Sequence, residues 1–388
     1  MKKVRLGDVA AIERKGISPD EISDGTTYVG LENIMSGGRF VGVAPVSNGE
    51  LASTKFKFED EHILYGKLRP YLAKIAVPTF AGICSTDILP IRVGAHADRM
   101  YVTHYLRQQE VVDQVNSMAT GANLPRISPK SLESVELPLP PLDEQRRIAA
   151  ILDKADALRI KRRQALAHLD TLTQSIFHSM FGEPPTSWRE TAIEDLVDKG
   201  DGSIRTGPFG SQLLTSEFTD KGVAVLGIDN AVSNEFAWRE RRFISFEKYS
   251  ALKRYTVKPG DLLVTIMGTL GRCAVVPADI PLAINTKHLC CITVDPAQVI
   301  PEWLHAYFLR SDSAAVYLRQ TTKGAIMGGL NMGIIKKMPV KLPPLELQQT
   351  FAARVAAVER LKETHRKHLS ELDMLFASLQ HRAFKGEL

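Results

Sequence analysis

The feature that most constrains this chain is an internal repeat, whose matching segments lie about two hundred residues apart. HILYGKLRPYLAKIAVP, at residues 62–78, matches DLLVTIMGTLGRCAVVP, at residues 261–277. Each segment has two β-rich runs around a polar or glycine-bearing turn, a pattern typical of a hairpin with an exposed tip. Further matching segments follow in the same order in both halves, although the identity between the halves is low. The chain is therefore predicted to be a tandem duplication of one unit.

The other matching segments indicate what each unit contains. STDILPIRV and NTKHLCCITV each have a polar start that leads into an apolar strand. YVTHYLRQ and WLHAYFLRS each have the pattern of an amphipathic helical turn. The plainest match is between TGANLPRISPKSLESVELPLPPLDEQRRI and KGAIMGGLNMGIIKKMPVKLPPLELQQTF. Each half is predicted to be a mixed α/β globule followed by a helix.

Two long helices are predicted directly after the two LPPL motifs, because proline suits the first turn of a helix but not its interior. We predict that they form an antiparallel intramolecular pair that acts as a spacer; a helix of about forty residues spans roughly 60 Å. The alternative is that each helix packs on its own globule as ordinary core. Apolar residues recur at the three-four spacing of a coiled-coil seam, at Ile148, Ile151, Ala155, Leu158, Ala165, Leu169, Leu172 and Ile176, and at Val355, Val358, Leu361, Leu369, Leu372, Leu375 and Leu379.

The predicted fold class is α+β. Two mixed α/β domains are joined by two long antiparallel helices that form a coiled-coil spacer, with a pseudo-two-fold internal repeat. The predicted boundaries are 1–140 for the first domain, 141–182 for the central helix, 183–343 for the second domain and 344–388 for the C-terminal helix.

Composition and missing motifs narrow the class of function. A net charge of +5 permits a polyanionic partner without requiring one. The chain has neither a signal peptide nor a run of eighteen apolar residues, and its 4 cysteines lack any framework spacing. A cytoplasmic protein with reduced thiols and no membrane contact is therefore expected. Phosphate-loop, dinucleotide, zinc-ligand, nucleophile-elbow and amino-methyltransferase motifs are all absent. We predict no catalytic centre, although scattered carboxylates could still form a metal site.

Cations and polar residues at the predicted turns are the candidates for contact with DNA. Cations on loops can neutralise phosphates, Arg can bind a guanine edge through two hydrogen bonds, and Ser or Thr can address other bases. Each of them could equally be a solvated surface residue, and Phe209 is expected to anchor its loop rather than to enter the base stack. The candidates are Arg39, Lys55, Lys67, Arg69, Tyr71, Arg205, Thr206, Phe209, Ser211, Thr265, Met267, Lys287 and Lys323.

Five segments of the chain together resemble the specificity subunit of type I restriction-modification systems. They are YVGLENI, GKLRPYLAKIAVP, LPLPPLDEQRRIAAILDKADAL, RTGPFGSQL and LQHRAFKGEL, and they cover essentially the whole chain in the order of the family. The second copy departs from the pattern, with Leu347, Gln348 and Gln349 where the first has Glu144, Gln145 and Arg146. This departure leaves open whether both ends hold their partners identically.

The resemblance implies two target recognition domains, each of which reads one half of a split DNA sequence, and helices that set the gap between the halves. It also implies that the helices dock two modification subunits, which methylate adenine, and that restriction subunits joining that core cleave DNA. The cofactors S-adenosylmethionine, ATP and Mg²⁺ are expected only on these partner subunits. The candidate docking residues are Gln145, Arg146, Ile148, Ile151, Gln348 and Gln349.

Other functions remain open at the level of sequence. The chain could be the recognition module of another methylation or restriction arrangement. It could also be a stand-alone regulator that binds DNA through two heads, or an enzyme with a cryptic nuclease site. The expected partners under the preferred interpretation are double-stranded DNA, two modification subunits and restriction subunits.

Overall fold

The computed structural model describes residues 2–200, 202–322 and 330–388. Contacts divide the chain into two compact units, one formed by residues 1–164 with 366–388 and the other by residues 165–365. The division falls within both long helices, so each unit contains part of both.

The first unit combines two larger sheets, a two-stranded sheet of β1 with β11, and a helical layer. A four-stranded antiparallel sheet has the order β2-β10-β7-β8, and a five-stranded mixed sheet has the order β3-β6-β9-β4-β5. The strands are β1 (Lys3–Arg5), β2 (Ala10–Ile12), β3 (Gly16–Ile17), β4 (Thr26–Val29), β5 (Ala44–Val46), β6 (Lys55–Phe58), β7 (His62–Gly66), β8 (Ile75–Ala76), β9 (Gly82–Cys84), β10 (Ile88–Val93) and β11 (Glu136–Pro138). The helices are α1 (Leu6–Val9), α2 (Arg99–Leu106), α3 (Gln109–Ser117), α4 (Pro129–Glu133) and the start of α5 (Leu142–Phe181).

Strand periodicity explains how the central sheet of the first unit can serve two cores. Successive side chains of a strand point to opposite faces. Ile63 and Ile91 therefore contribute to the core under α2 and α5, whereas Leu64 and Ile88 contribute to the core shared with the five-stranded sheet. The apolar runs in β7 and β10 are continuous because both faces of this sheet are covered.

The second unit repeats this architecture. Its larger sheets have the orders β13-β21-β18-β19 and β14-β16-β15-β20-β17, and β12 forms a two-stranded sheet with β22. The strands are β12 (Arg189–Ala192), β13 (Ile204–Thr206), β14 (Phe218–Thr219), β15 (Val223–Leu226), β16 (Phe243–Ile244), β17 (Thr256–Val257), β18 (Leu262–Thr265), β19 (Cys273–Val275), β20 (Ala283–Asn285), β21 (Leu289–Ile292) and β22 (Pro339–Leu342). The helices are α6 (Phe246–Leu252), α7 (Pro301–Arg310), α8 (Asp312–Thr322), α9 (Met332–Lys336) and α10 (Leu345–Lys385).

The strand orders confirm the predicted duplication. The order β2-β10-β7-β8 corresponds strand for strand to β13-β21-β18-β19, and β6-β9-β4-β5 corresponds to β17-β20-β15-β16. In each unit the second sheet contains one parallel pair, β4 with β9 and β15 with β20. The two predicted hairpins are β7 with β8 and β18 with β19, both antiparallel.

Both long helices are confirmed, and within each unit they run antiparallel. In the first unit Arg159 Nε lies 2.6 Å from Asp373 Oδ1, and Arg147 donates to the carbonyl oxygen of Leu388. In the second unit Lys362 Nζ lies 3.0 Å from Asp170 Oδ1. Residues early in one helix therefore face residues late in the other.

The alternative arrangement, in which each helix packs on its own globule, also holds for part of each helix. The first turns of α5 place Ile148 and Leu152 in the core of the first unit, and Phe351 of α10 is buried in the core of the second. The predicted seam was wrong at four exposed positions, which are Leu158 at 53%, Leu172 at 42%, Leu361 at 52% and Leu375 at 50%.

Candidate nucleic-acid interface

Three loops of the first unit meet at the tip of the β7–β8 hairpin. The backbone N–H of Lys67 donates to the carbonyl of Asp87, and that of Ile127 donates to the carbonyl of Lys67. The N–H of Arg69 donates to the carbonyl of Pro125 at 2.7 Å. These bonds join residues 67–74, 85–87 and 120–127 into one surface, which we call the first loop cluster.

The first loop cluster presents cations around a single carboxylate. Lys67 Nζ lies 3.7 Å and Arg126 Nε 3.2 Å from Asp87 Oδ1. Arg69 is exposed, and the Tyr71 side chain is 51% exposed. Such a surface can contact phosphates and base edges. Arg126 was missed by the sequence reasoning, although its segment had been matched between the two halves.

The backbone of this hairpin tip is strained. Arg69 and Ala73 adopt left-handed conformations, with φ of 53° and 46°. Such a conformation costs a residue with a Cβ roughly 1 kcal/mol or more, and strained residues cluster at functional sites. The hydrogen bond from Arg69 to Pro125 holds this conformation in place.

Two other candidates of the first half lie in different environments. Arg39 is an exposed residue, on a turn where its carbonyl accepts a hydrogen bond from the N–H of Met35. Lys55 is only 6% exposed, and its Nζ donates to the carbonyl and hydroxyl of Ser53. Burial lowers the pKa of Lys55. Lys55 offers almost no exposed charge in this structure, and its contact with DNA stays an untested prediction.

The second unit has a corresponding group of loops, residues 206–212, 265–272 and 285–288, which we call the second loop cluster. The N–H of Ile266 donates to the carbonyl of His288 at 3.0 Å, as that of Lys67 donates to Asp87 in the first unit. Gly207 allows the close approach of these loops, because a Cβ there would lie 2.0 Å from the carbonyl oxygen of Asn285.

The second loop cluster differs from the first in carrying exposed apolar side chains. Phe209 and Met267 are 53% and 47% exposed, so the expectation that Phe209 anchors its loop was wrong. Ser211 is exposed, and Thr206 and Lys287 are half-buried. Burial, followed by the charges of Lys287 and Arg242, lowers the pKa of His288. His288 is a further polar candidate that the sequence reasoning did not include.

Two candidates of the second half are internal. Thr265 is buried, and its hydroxyl accepts from the N–H of Arg272 and donates to the carbonyl of Thr269. It therefore shapes the β18–β19 turn. Lys323 lies outside the described residues.

Arg205 is enclosed in a polar network inside the second unit. Its Nη2 lies 2.7 Å from Asp261 Oδ2 and its Nη1 2.9 Å from Thr293 Oγ1. Asp261 also accepts from Thr293 Oγ1 at 2.7 Å. Because its charge is neutralised within the domain, Arg205 fixes the start of the 206–212 loop and presents no free cation. Direct contact of Arg205 with DNA stays an untested prediction.

Two of the three predicted docking glutamines, Gln145 and Gln348, are buried at the junctions between helix and domain. Gln145 is 0% exposed. Its Oε1 accepts from the N–H of Asp98 at 2.8 Å, and its Nε2 donates to the carbonyls of His96 at 3.1 Å and Pro140 at 2.8 Å. All of the polar atoms of this amide therefore bind the protein's own backbone.

Gln348 repeats this arrangement in the second unit. It is also 0% exposed. Its Oε1 accepts from the N–H of Ile300 at 2.9 Å, and its Nε2 donates to the carbonyls of Gln298 at 3.1 Å and Pro343 at 2.9 Å. We call Gln145 and Gln348 the glutamine clasps, because each fastens the start of a long helix to the loop before α2 or α7.

The remaining docking candidates divide by exposure. Arg146 has a side chain that is 62% exposed, and Gln349 is exposed. Ile148 is 1% exposed within the first core, and Ile151 is half-buried. Arg146 and Gln349 are thus accessible to a partner, whereas Ile148 packs in the core of the first unit and is not accessible. The docking role of all these residues stays a prediction.

The described residues provide no group of three or more His, Cys, Asp or Glu side chains that could hold a metal ion. The cysteines are buried, and burial raises the pKa of the Cys290 thiol to about 12. Within residues 2–200, 202–322 and 330–388, no helix combines the length and apolar character needed to cross a membrane.

A family model described as the type I restriction modification DNA specificity domain matches residues 1–169 and 187–374. The chain belongs to this specificity family. The duplicated match accords with the two copies of the strand order, and it leaves only short segments of the chain outside the family.

Several relatives within the specificity family are specificity subunits. The EcoDI specificity subunit of Escherichia coli is 32% identical over 192 residues, which are 48% of this chain and 43% of the relative. The MjaVIII specificity subunit of Methanocaldococcus jannaschii is 22% identical over 310 residues, 75% of this chain and 70% of the relative. The match to the E. coli relative therefore spans less than half of that protein.

Solved structures from type I restriction-modification systems share the fold. A chain from a study of complex assembly and conformational transition of the type I R-M system gives a TM-score of 0.61 at 20% identity, covering 100% of this chain and 98% of that one. The S subunit of the type I restriction-modification system from M. genitalium gives 0.59 at 13% identity, covering 99% and 96%. At these identities the likeness concerns the fold alone.

Proposed function

We propose that this chain is the DNA-recognition subunit of a type I restriction-modification complex, in which each domain reads one half of a bipartite target. The observation that carries the proposal is the pair of loop clusters at corresponding hairpin tips in a chain of the DNA specificity family. Cations in such loops neutralise phosphates, and polar side chains read base edges.

The two loop clusters differ in chemistry, which suits two different half-sites. The first offers Lys67, Arg69 and Arg126, which are donors suited to guanine O6 and N7 or to phosphates. The second offers Phe209 and Met267, whose apolar surfaces suit the methyl group of thymine or an unstacked base. Two loop clusters with different chemistry would recognise two different half-sites, so the recognition sequence would be asymmetric.

The long helices are assigned the second part of the function, which is to set the gap between the half-sites and to dock two modification subunits. Arg146 and Gln349 are exposed at the starts of the helices. Leu158, Met374 and Leu375 are exposed on the helices of the first unit, at 53%, 64% and 50%. Exposed apolar residues of this size on paired helices are suited to a protein partner.

The chemistry is assigned to the partners in this proposal. The modification subunits supply adenine methylation with S-adenosylmethionine, and restriction subunits supply DNA cleavage with ATP and Mg²⁺. The chain itself is assigned no catalytic step, and the complex acts on cytoplasmic DNA.

The test is to map methylated adenines by single-molecule sequencing in a host that expresses the chain with its modification and restriction partners. Wild type should give one bipartite motif. Replacing Arg69 and Arg126 by Ala should relax or change one half of the motif, and replacing Phe209 and Met267 by Ala should affect only the other half. A motif without two halves, or DNA cleavage by the purified chain with Mg²⁺ alone, would overturn the proposal.

A further inference from the structure

The second unit contains an open cleft outside the second loop cluster. It has a volume of about 620 Å³ and lies between the C-terminal part of α5, the N-terminal part of α10 and the α7–α8 corner. Thr173, His305, Arg310 and Lys362 are among the residues that line it. All of them belong to the second unit, and none belongs to the second loop cluster.

The repeat supplies an internal comparison for this cleft. Gln145 and Gln348 are 203 residues apart, and the same separation relates Arg159 to Lys362 and Asp170 to Asp373. The ion pair of Arg159 with Asp373 accordingly corresponds to that of Lys362 with Asp170. Residues on the two helix pairs can therefore be matched one by one.

This matching pairs Thr173 with Phe376 of the first unit. The ring of Phe376 packs against Arg159, with the guanidinium carbon 4.3 Å from the ring centroid, and lies 6.2 Å from the His104 ring. Thr173 is much smaller, so the second unit lacks the ring that fills this place in the first. The Thr173 hydroxyl is buried and has no hydrogen-bond partner among the described residues.

The same matching pairs Arg310 with Arg107. The guanidinium of Arg107 donates to the backbone carbonyl of Ile75 at 2.6 and 3.1 Å. In the second unit His305 Nε2 lies 2.9 Å from the carbonyl of Cys273, the strand residue that corresponds to Ile75. Arg310 is half-buried and has neither a hydrogen bond nor an ion pair within the described part of the chain, so its donors remain available in the cleft.

Carboxylates outnumber cations around the cleft. Lys362 is already paired with Asp170 and Glu359, which leaves Arg310 as the cation without an ion pair among the described lining residues. The acidic residues of the lining are Asp170, Glu235, Glu302, Asp312 and Glu359. A net negative cleft disfavours nucleic acid and other polyanions, and it favours a cationic occupant.

We propose that this cleft is a docking site for a short basic segment of the modification subunit. A backbone carbonyl of that segment accepts from Arg310, as the carbonyl of Ile75 accepts from Arg107 in the first unit, and a Lys or Arg side chain lies among the carboxylates. The inference rests on the proposed function and deepens it, because it makes the partner sites on the two units unequal.

The experiment measures binding of purified modification subunit to the purified full chain by calorimetry. Wild type should show two classes of site. Thr173→Phe, which places the ring of the first unit in the cleft, and Arg310→Gln, which removes the guanidinium, should each weaken one class at least tenfold. Thr173→Val, which keeps the cleft open, is the matched control and should weaken binding less than threefold.

Three outcomes have separate meanings. Normal binding at both classes by Thr173→Phe and Arg310→Gln would overturn the docking site while leaving the proposed function intact. Absence of any binding by wild type would overturn the proposed function and the docking site together. The thermal transition of Arg310→Gln should be unchanged, because Arg310 makes no hydrogen bond or ion pair within the described part of the chain. Its DNA affinity should also be unchanged, because the cleft lies outside the loop clusters.

Discussion

At the scale of single residues, the glutamine clasps show that an amide predicted to dock a partner can be fully buried within its own domain. Gln145 and Gln348 follow the Pro-Pro pairs in a motif that resembles a docking region. Two of the three backbone partners of each lie about fifty residues away in sequence, on the loops before α2 and α7. No local pattern specifies such a pairing, so the sequence could locate these residues but could not tell burial from exposure.

Replacing Gln145 by Leu should lower the free energy of unfolding by about 3 kcal/mol, because the N–H of Asp98 and two carbonyls would be left buried without partners. Gln348→Leu should do the same in the second unit. The three tryptophans, Trp188, Trp238 and Trp303, all lie in the second unit. Urea titrations followed by tryptophan fluorescence should therefore detect Gln348→Leu directly.

The matched control for the clasps is Gln349→Leu, one residue later and exposed. It should change the unfolding free energy by less than about 0.5 kcal/mol. Equal effects of Gln348→Leu and Gln349→Leu would contradict the role assigned to the clasp.

A second prediction at this scale concerns pH. Hydrogen bonding from Lys15, followed by that from His62 and Arg92, lowers the pKa of Glu13 to about 2 although burial opposes the shift. Because the folded pKa lies below the unfolded value of 4.5, this group stabilises the first unit above pH 4.5. The contribution is lost as the pH falls from 4.5 towards 2.

The variant Glu13→Gln should therefore be less stable than wild type at pH 7, by on the order of 1 kcal/mol. The difference between the two proteins should shrink as the pH falls below 4.5. Urea denaturation followed by circular dichroism at several pH values measures this difference. The unfolding of the second unit, followed by tryptophan fluorescence, should be the same in Glu13→Gln and wild type at each pH. A difference that grows on acidification would refute the assignment.

At the scale of elements, the hairpins and their exposed tips were predictable because strand runs and turn residues are local signals. The strand orders and the joining of three loops at each tip were not, because they depend on backbone hydrogen bonds between distant segments. For the same reason Arg126 escaped notice, whereas Lys55 and Arg205 were included. A cation on a short strand looks the same in sequence whether it faces solvent or a buried partner such as Asp261.

Arg126→Ala should weaken DNA binding with little change in stability, since the side chain is 43% exposed. If it contacts a phosphate, affinity should fall alike for all sequences, and the dependence of log K on log salt should lose about one unit of slope. If it contacts a base, the loss should be roughly 1–3 kcal/mol and confined to the cognate half-site. Fluorescence anisotropy with cognate and scrambled duplexes distinguishes the two cases.

The control for this prediction is Lys3→Ala, an exposed cation on β1 outside the loop clusters. It should leave the affinity for the cognate duplex nearly unchanged. Equal losses for Arg126→Ala and Lys3→Ala on every duplex would indicate that only overall charge is being measured.

At the scale of the whole molecule, the duplication and the two helices could be predicted because each rests on a pattern repeated along the chain. The seam was predicted less well. Near Leu158, the contact between the two helices is made by Arg159, which packs against Phe376 and pairs with Asp373. A heptad count gives no sign that a charged pair will replace an apolar contact.

Inserting seven residues after Gln164 and seven after His365 should lengthen the gap in the recognised sequence. Each heptad adds roughly 10 Å of helix, which corresponds to about 3 base pairs of DNA. Methylation mapping of the altered system measures the new gap. An insertion in only one helix should instead abolish modification, and an unchanged gap after both insertions would refute the spacer role.

The way the second domain is closed at its base has a mechanical consequence. β12 and β22 are antiparallel neighbours, and Arg189, which begins β12, lies opposite Leu342, which ends β22. Once the glutamine clasp at Gln348 and the packing of Phe351 had given way, a pulling force that entered through α5 and α10 would separate these two residues and peel the strands apart one hydrogen bond at a time. The second loop cluster is not part of this joint, so under tension the strands that close the base of the domain would separate before the second loop cluster unfolded.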